Sequence, residues 1–173
     1  DSRSDAWVAM TGDRSDGDRD HGRRRALRFN GNAGLKISGR TETRFYASIN
    51  HIRQKLSGAL TESQVLEDPS QANARNVALD QARDIASIRL QNRTTVHLEG
   101  GQTVFGVFYN SKSLYHPIFE VIDQNSEDRG ALASLSLATK LGNLPLELTL
   151  GSQARFGKGE FRQFVNLAGE PGL

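Results

Sequence analysis

A strict alternation of apolar and polar side chains over residues 26–56 is the feature that most constrains what this chain can fold into. Two rows run through the first half of this segment: Leu27, Phe29, Gly31, Ala33, Leu35 and Ile37 in the apolar row, and Arg28, Asn30, Asn32, Gly34, Lys36 and Ser38 in the polar row. After Gly39 the alternation resumes, with Phe45 and Ile49 on the apolar side. Because successive side chains of a strand point to opposite faces, this pattern predicts two antiparallel strands joined by a tight turn.

The same unit recurs along the chain and predicts seven strands in all. The five further strands are expected at 5–12, 86–98, 103–115, 131–141 and 146–156, and the tail 157–173 is expected to be a loop. The turns at 39–41, 99–102 and 142–145 are short, whereas the connections at 13–25, 57–85 and 117–130 are long and polar. Short turns at one edge of a sheet and long loops at the other are typical of outer-membrane barrels.

The longest connection, 57–85, contains two predicted helices. Thr61 and Gln64 have the spacing of a capping box, which predicts a short helix that ends near Glu67, before Pro69. A second short helix is expected over 76–82. A connection of this length usually has a function of its own.

The composition favours a sheet that faces lipid over a soluble domain. Hydrophobic residues make up 36% of the 173 residues and aromatic residues only 7%, which would give a soluble domain a thin core. No run of 18 or more apolar residues is present, as a membrane-spanning helix would need. A soluble lipocalin-like barrel alternates in the same way, but long loops on one side favour the membrane. Seven strands is an odd number and bacterial barrels have even ones, so a longer parent protein is expected.

Several short runs stand in an order and spacing that point to a known family. They are DGDRDH at 16–21, RFNGNAG at 28–34, ETRFY at 42–46, LT at 60–61, LEDP at 66–69, AN at 72–73 and YHPIF at 115–119. Together they resemble the barrel of TonB-dependent outer-membrane receptors of the ferric-siderophore type, over about residues 5–157. The resemblance implies an all-β fold, an antiparallel transmembrane barrel of 22 strands, of which this chain is a sector of about seven.

The resemblance also implies a function and a set of partners. Such receptors bind a ferric siderophore or similar iron chelate outside the cell and import it actively through the bacterial outer membrane, with energy that TonB relays to a plug domain. Outer-membrane lipid and lipopolysaccharide are further expected partners. Residues 1–173 are interpreted as a partial barrel without plug, TonB box, signal peptide or remaining strands, so the import function is expected of the parent protein. No cofactor is expected, because iron would arrive already chelated.

Arginine supplies 17 of the 22 basic side chains, and its planar fork grips carboxylates and phosphates in two places. Arg23, Arg24 and Arg25 follow an acidic loop and are candidate contacts for an anionic chelate. The alternatives are contact with lipopolysaccharide phosphates or a solvated loop. The net charge of +2 argues against a nucleic-acid partner.

The aromatic residues Tyr115 and Trp7 each allow two interpretations. Tyr115, with His116, stands where a predicted strand leaves for a long connection. The resemblance implies that aromatic and basic groups near the outer rim line the ligand pocket, although a strand-end Tyr is more often a girdle residue. Trp7 suits a membrane-interface girdle, but a lone Trp is more often packed in a core.

The polar rows predict a charged lumen. Its arginines are Arg28, Arg44, Arg89, Arg93 and Arg155, accompanied by Lys36 and Glu147. We expect this positive bias to help attract anionic ligands, and structural pairing with neighbouring side chains is the alternative.

Nothing in the sequence supports an enzyme. The G-x-S-x-G, Walker and H-E-x-x-H motifs are missing, and His51 and His97 are isolated, so no catalytic residue and no protein-bound metal is expected. Two other functions remain open at this stage: a soluble β-barrel module that binds a small ligand, and the wall of a passive porin-type channel.

Overall fold

The computed structural model describes residues 3–172 as one antiparallel sheet in which each strand pairs with the next along the chain. Its strands are β1 Ser4–Ser15, β2 Arg24–Lys36, β3 Thr41–Lys55, β4 Ala82–Leu98, β5 Gly101–Pro117, β6 Glu120–Leu141, β7 Leu144–Leu167 and β8 Glu170–Gly172. The sheet is open, since its order begins at β1 and ends at β8. The predicted all-β, antiparallel fold class is confirmed. Asp1, Ser2 and Leu173, the ends of the predicted domain, lie outside the described residues.

The predicted count of seven strands is wrong within residues 3–172, because the tail is not a loop. β7 continues to Leu167 and is followed by β8, although this segment is rich in charge and glycine. The charges are accommodated by cross-strand pairing with β6: Lys158 lies opposite Glu127, and Arg162 lies opposite Asp123. A charged segment can therefore form a strand when the neighbouring strand supplies opposite charges.

The predicted connection at 117–130 is also wrong. β6 begins at Glu120, and Ile118 and Phe119 form a tight turn in which the Ile118 N–H donates to the Glu120 carbonyl (2.8 Å). We call the edge that carries the connections 16–23 and 56–81 the loop end, and the opposite edge the turn end. All three connections at the turn end are short, as predicted, but the loop end has two long and two short connections.

The 56–81 connection contains the two short helices, α1 Glu62–Glu67 and α2 Ala74–Ala78. The predicted capping box is present: the Thr61 N–H donates to Gln64 Oε1 (2.9 Å), and the Gln64 N–H donates to Thr61 Oγ1 (3.4 Å). The second helix begins earlier than predicted, because the Asn73 side chain caps it by accepting from the Arg75 N–H (3.0 Å). Neither helix in the described part of the chain is long and apolar enough to cross a membrane.

The two faces of the sheet differ in polarity, as the alternation predicts. We call the face that carries the row of Leu27 to Leu35 the apolar face and the face that carries Arg28 to Lys36 the polar face. The register extends the apolar row across the sheet, since Phe29 lies opposite Ile49 and Ile49 opposite Ile88. In β5, where the sequence was ambiguous, Phe105, Val107 and Tyr109 lie on the apolar face, and Val104 and Phe108 lie on the polar face.

The apolar face does not close over a core. The side chains along it are open to the surroundings, with Leu35, Leu90 and Leu148 each 44–48% exposed. Ala26, Val104 and Val121 are the buried hydrophobic residues among residues 3–172. A sheet with one exposed apolar face needs another apolar phase to cover it, since exposed apolar area is unfavourable in water.

Candidate functional site

A hollow of about 560 Å³ lies on the polar face and reaches across the sheet from β1 to β7. Polar and aromatic side chains dominate its lining: Trp7, Asn30, Asn32, Tyr46, Ser48, Arg89, Gln91, Phe108, Asn110, Gln153 and Arg155. The dip on the apolar face reaches only from β1 to β5 and lies over small residues such as Gly31, Ala33 and Ala47. The hollow on the polar face therefore extends over more strands than the dip on the apolar face. Trp7 lies in this hollow, so it does not occupy the membrane-facing girdle position that its sequence context suggested.

The five arginines predicted for the lumen share the polar face, and they fall into two groups. Arg28 Nη1 donates to Asp13 (2.7 Å), Arg44 Nη2 donates to Asp5 (2.7 Å), and Arg155 Nε donates to Asp128 (3.0 Å). Arg89 and Arg93 have no carboxylate within ion-pair distance among residues 3–172. These two positive charges lie on β4, in the middle of the sheet: Arg89 lines the hollow, and Arg93 lines a neighbouring hollow of about 300 Å³ nearer the turn end.

Gly34 makes the Arg44 ion pair possible. It lies between the two partners in the register, opposite Asp5 on one side and Arg44 on the other. A Cβ at this position would collide with the Arg44 guanidinium group. Without a side chain at Gly34, Arg44 can extend over β2 and reach Asp5 on β1.

The two long connections are joined to each other at the loop end. Arg19 donates to three carbonyl oxygens of the 56–81 connection: those of Gly58 (2.8 Å), Gln71 (3.0 Å) and Ser57 (3.4 Å). The Asp20 N–H donates to the Ser70 carbonyl (2.7 Å). The polar loop is therefore not simply solvated, because one arginine holds it against its neighbour.

Further contacts extend this network toward β7. Lys55 Nζ donates to Asp80 (2.6 Å), next to the buried Gln81. Asn166, also buried, donates to the carbonyls of Ile118 (2.6 Å) and Leu79 (2.9 Å). One hydrogen-bonded network thus links the connections at the loop end from β1 to β8.

Tyr115 and His116 are structural members of this network and do not share a surface. Consecutive strand residues point to opposite faces, so Tyr115 lies on the apolar side and His116 on the polar side. The Tyr115 hydroxyl donates to the Gly169 carbonyl (2.8 Å), and His116 Nδ1 lies 2.7 Å from the Ala82 carbonyl. Burial, followed by the Glu170 and Asp123 carboxylates, raises the pKa of Tyr115, so its hydroxyl stays protonated and can donate.

The arginines at 23–25 are not a single patch either. Arg23 lies 3.4 Å from Asp16, and Arg24 lies 3.5 Å from Asp13 on the polar side. Arg25 belongs to the opposite face, in the same row as Leu27. Arg25 is two residues before Leu27, so the sequence alone puts it on the same face as Leu27 and on the opposite face from Arg24. The residues that lie beside Arg25 on β1 and β3 are known only from the register.

The arrangement suits recognition by charge and hydrogen bonding. The polar face offers guanidinium groups, amides and aromatic rings around a wide hollow. Among residues 3–172, no group of three or more His, Cys, Asp and Glu side chains is close enough to hold a metal ion.

Comparison with solved structures identifies a fold of the same kind. The chain is similar to the ferric citrate transporter FecA in its unliganded form, with a TM-score of 0.85 and 11% sequence identity. The alignment covers 98% of this chain and 26% of FecA, so the chain spans about a quarter of that protein. No family model and no curated protein sequence matches the chain. The likeness shows the fold alone: this antiparallel sheet matches a segment of the β-barrel of that transporter.

Proposed function

We propose that this sheet is part of the wall of a β-barrel that crosses the bacterial outer membrane, with its apolar face toward lipid and its polar face toward the lumen. The observation that carries the proposal is the distribution of charge on the apolar face. One register row consists of Ala6, Ala33, Phe45, Asn92, Val107, Ala131 and Ala154. From this row to the turn end, the described strand residues of the apolar face include no charged side chain. Its charged residues all lie nearer the loop end.

The borders of this apolar band are oblique to the strands, as a flat hydrocarbon layer requires of tilted strands. At the border near the loop end, the band begins at Leu27 in β2. The residue of β7 in the same register row as Leu27 is Glu160, but the apolar residues of β7 begin only at Phe156, about 14 Å nearer the turn end. At the border near the turn end, the band ends at Leu35 in β2. The residue of β7 in the same register row is Ser152, but the band in β7 continues to Leu144, about 27 Å nearer the turn end.

The two borders give a strand tilt that agrees with barrel geometry. Five strand spacings separate β2 from β7, about 24 Å in all. The two borders are therefore inclined to the register rows by roughly 30° and roughly 50°. If the borders follow the membrane plane, these angles equal the strand tilt, and their mean lies near the 35–45° of membrane barrels.

For the cargo we propose an anionic ferric chelate, imported with energy from TonB. Three findings support this proposal: the resemblance of the sequence runs to ferric-siderophore receptors, the likeness of the fold to a ferric citrate transporter, and the lack of a carboxylate partner within residues 3–172 for Arg89 and Arg93 on the polar face. Iron would be cargo, carried by its chelator. A passive porin wall and a soluble ligand-binding module are the competing functions, and catalysis is not part of the proposal.

Uptake of radiolabelled ferric citrate by cells that produce the complete protein tests the cargo. The double substitution Arg89→Glu and Arg93→Glu should lower the initial uptake rate at least fivefold at low ionic strength, and added salt should narrow the difference because it screens the charges. Arg40→Glu with Lys140→Glu makes the same change in net charge at the turn end and should leave uptake near the wild-type rate.

Three results would count against the proposal in different ways. Equal uptake by both double variants at every salt concentration would remove the role of the β4 arginines. Uptake that persists in cells without TonB would favour a passive channel. Recovery of the complete protein in buffer without detergent would favour a soluble module and would contradict the membrane assignment.

A further inference from the structure

Three arginines form a continuous row on the apolar side of the sheet at the loop end. Arg14 in β1 lies opposite Arg25 in β2, and Arg25 lies opposite Arg53 in β3. All three side chains are exposed, and that of Arg53 is 68% exposed. Directly opposed residues of neighbouring strands have Cβ atoms only about 5 Å apart, so three positive charges are held side by side by the backbone. We call these residues the arginine row.

The protein neutralises only one end of the arginine row. Arg53 Nε donates to Asp84 (2.8 Å), and that carboxylate is shared with His51 (3.0 Å). Arg14 and Arg25 have no carboxylate within ion-pair distance in the described part of the chain. The nearest acidic residues in sequence serve others: Asp13 binds Arg24 and Arg28 on the polar side, and Asp16 pairs with Arg23. Like charges that face each other across strands are destabilising, so an anion from outside the sheet would stabilise the row.

The position of the row indicates where that anion comes from. The next residues of the same face toward the turn end are Gly12, Leu27 and His51, followed by Met10, Phe29 and Ile49. The arginine row therefore lies directly at the border of the apolar band. If the band lies in hydrocarbon, as proposed above, the row is at the depth of the lipid headgroups.

Cations mark the same border elsewhere on the face. Arg129 in β6 lies one register step from the apolar Ala131, and Lys158 in β7 lies one step from Phe156. The turn-end border has no basic side chain on the apolar face of the described strands. This asymmetry suits a leaflet whose headgroups carry more negative charge than those of the other leaflet.

We propose that Arg14, Arg25 and Arg53 form a binding site for the phosphate groups of a phosphorylated lipid in the leaflet at the loop end. The inference rests on the membrane orientation proposed above. The chemistry fits phosphate, because a guanidinium group offers a planar pair of donors that bind two phosphate oxygens at once. Adjacent arginines could hold either one phosphate between them or the two phosphates of a diphosphorylated headgroup.

Titration of the complete protein, purified in neutral detergent, with diphosphorylated lipid A tests the site. Replacement of all three arginines by glutamine should weaken binding at least tenfold. The variant with three lysines, which keeps the charge but loses the planar fork, should bind with intermediate affinity. Lipid A from which both phosphates have been removed should bind the wild type and the glutamine variant equally weakly.

The matched control is Lys36→Gln with Arg40→Gln and Lys140→Gln, which removes three positive charges at the turn end. It should bind diphosphorylated lipid A like the wild type. Equal affinity of the arginine-row variant and the wild type would overturn the inference. Insertion of both proteins into neutral phosphatidylcholine vesicles separates this result from failure of the membrane proposal, because a protein that inserts into no vesicle at all contradicts the membrane orientation itself.

Discussion

The polar and apolar faces of this sheet are built from alternate residues of the same strands, yet they are organised in different ways. On the polar face several charged groups find partners within the sheet, such as Arg44 with Asp5 and Arg155 with Asp128. On the apolar face, large side chains such as Leu150 remain more than half exposed. The difference shows that local side-chain pairing organises one face, whereas the other depends on what surrounds the sheet.

The apolar face also changes along its length. Toward the turn end it has no charged side chain in the described strands, and near the loop end it carries arginines, lysine and carboxylates. Only part of this face therefore suits hydrocarbon. The remainder suits headgroups and water, so in the proposed orientation the hydrogen-bonded network of the loop end lies outside the membrane.

The largest expected effect comes from charge placed on one face or the other at neighbouring positions. Leu150→Arg introduces a cation near the middle of the apolar band and should destabilise the complete protein in lipid vesicles by about 2–4 kcal/mol. Thr149→Arg places the same charge on the polar face and should cost less than about 1 kcal/mol. Denaturant unfolding in vesicles measures both, and equal losses for the two variants would refute the assignment of the faces.

A smaller effect is expected from close packing on the polar face. A Cβ at Gly130 would collide with the Ala154 carbonyl and the Phe108 ring, whereas a Cβ at Gly151 would meet its neighbours at 3.6 Å. Gly130→Ala should therefore destabilise the fold by about 1–3 kcal/mol. Gly151→Ala should be neutral or slightly stabilising, because it reduces the conformational freedom of the unfolded chain. Denaturation midpoints that do not differ would show that the polar face packs more loosely than described.

The smallest effect concerns Tyr115, on the apolar side but beyond the apolar band. Tyr115→Phe removes the hydrogen bond to Gly169 and should lower stability by about 0.5–1.5 kcal/mol. Because the folded pKa is raised, the contribution of the hydroxyl is complete below its ordinary pKa of about 10 and declines as pH rises through the folded value. The stability difference between wild type and variant should therefore shrink in strongly alkaline solution, and amide exchange around Gly169 measures it. A constant difference across this range would contradict the assigned bond.

The extent to which the sequence predicts this fold depends on the kind of residue that forms each strand. Strands with a clear apolar row, such as β2 and β3, were predicted within a few residues, and so was α1, whose capping box is a local signal. The halves of β6 and β7 nearer the loop end, residues 120–130 and 157–167, were not predicted. Their charged and glycine-rich sequences resemble a loop when the residues of the neighbouring strand are not considered. Their strand structure depends on cross-strand pairs such as Glu127 with Lys158.

For the candidate site, the alternation of side chains along each strand was enough to place the five arginines predicted for the lumen on one face, because alternation is a property of the strand itself. It did not show which of them are paired: Arg44 reaches Asp5 across Gly34, and these residues are far apart in the chain. The prediction that Tyr115 and His116 contact a ligand came from their position at a strand end and from the family resemblance, and it stays a prediction; what the register adds is that the two side chains lie on opposite faces. In a strand, adjacency separates side chains onto opposite faces.

The amino-acid sequence by itself determined the periodicity of this protein, and with it the strands, their two faces and the short turns at one end. These features follow from interactions between residues a few positions apart. The tertiary structure alone decided the register, because the pairing of two strands depends on residues that the chain brings together from a distance. The oblique border of the apolar band, the network at the loop end and the row of Arg14, Arg25 and Arg53 are all consequences of that register.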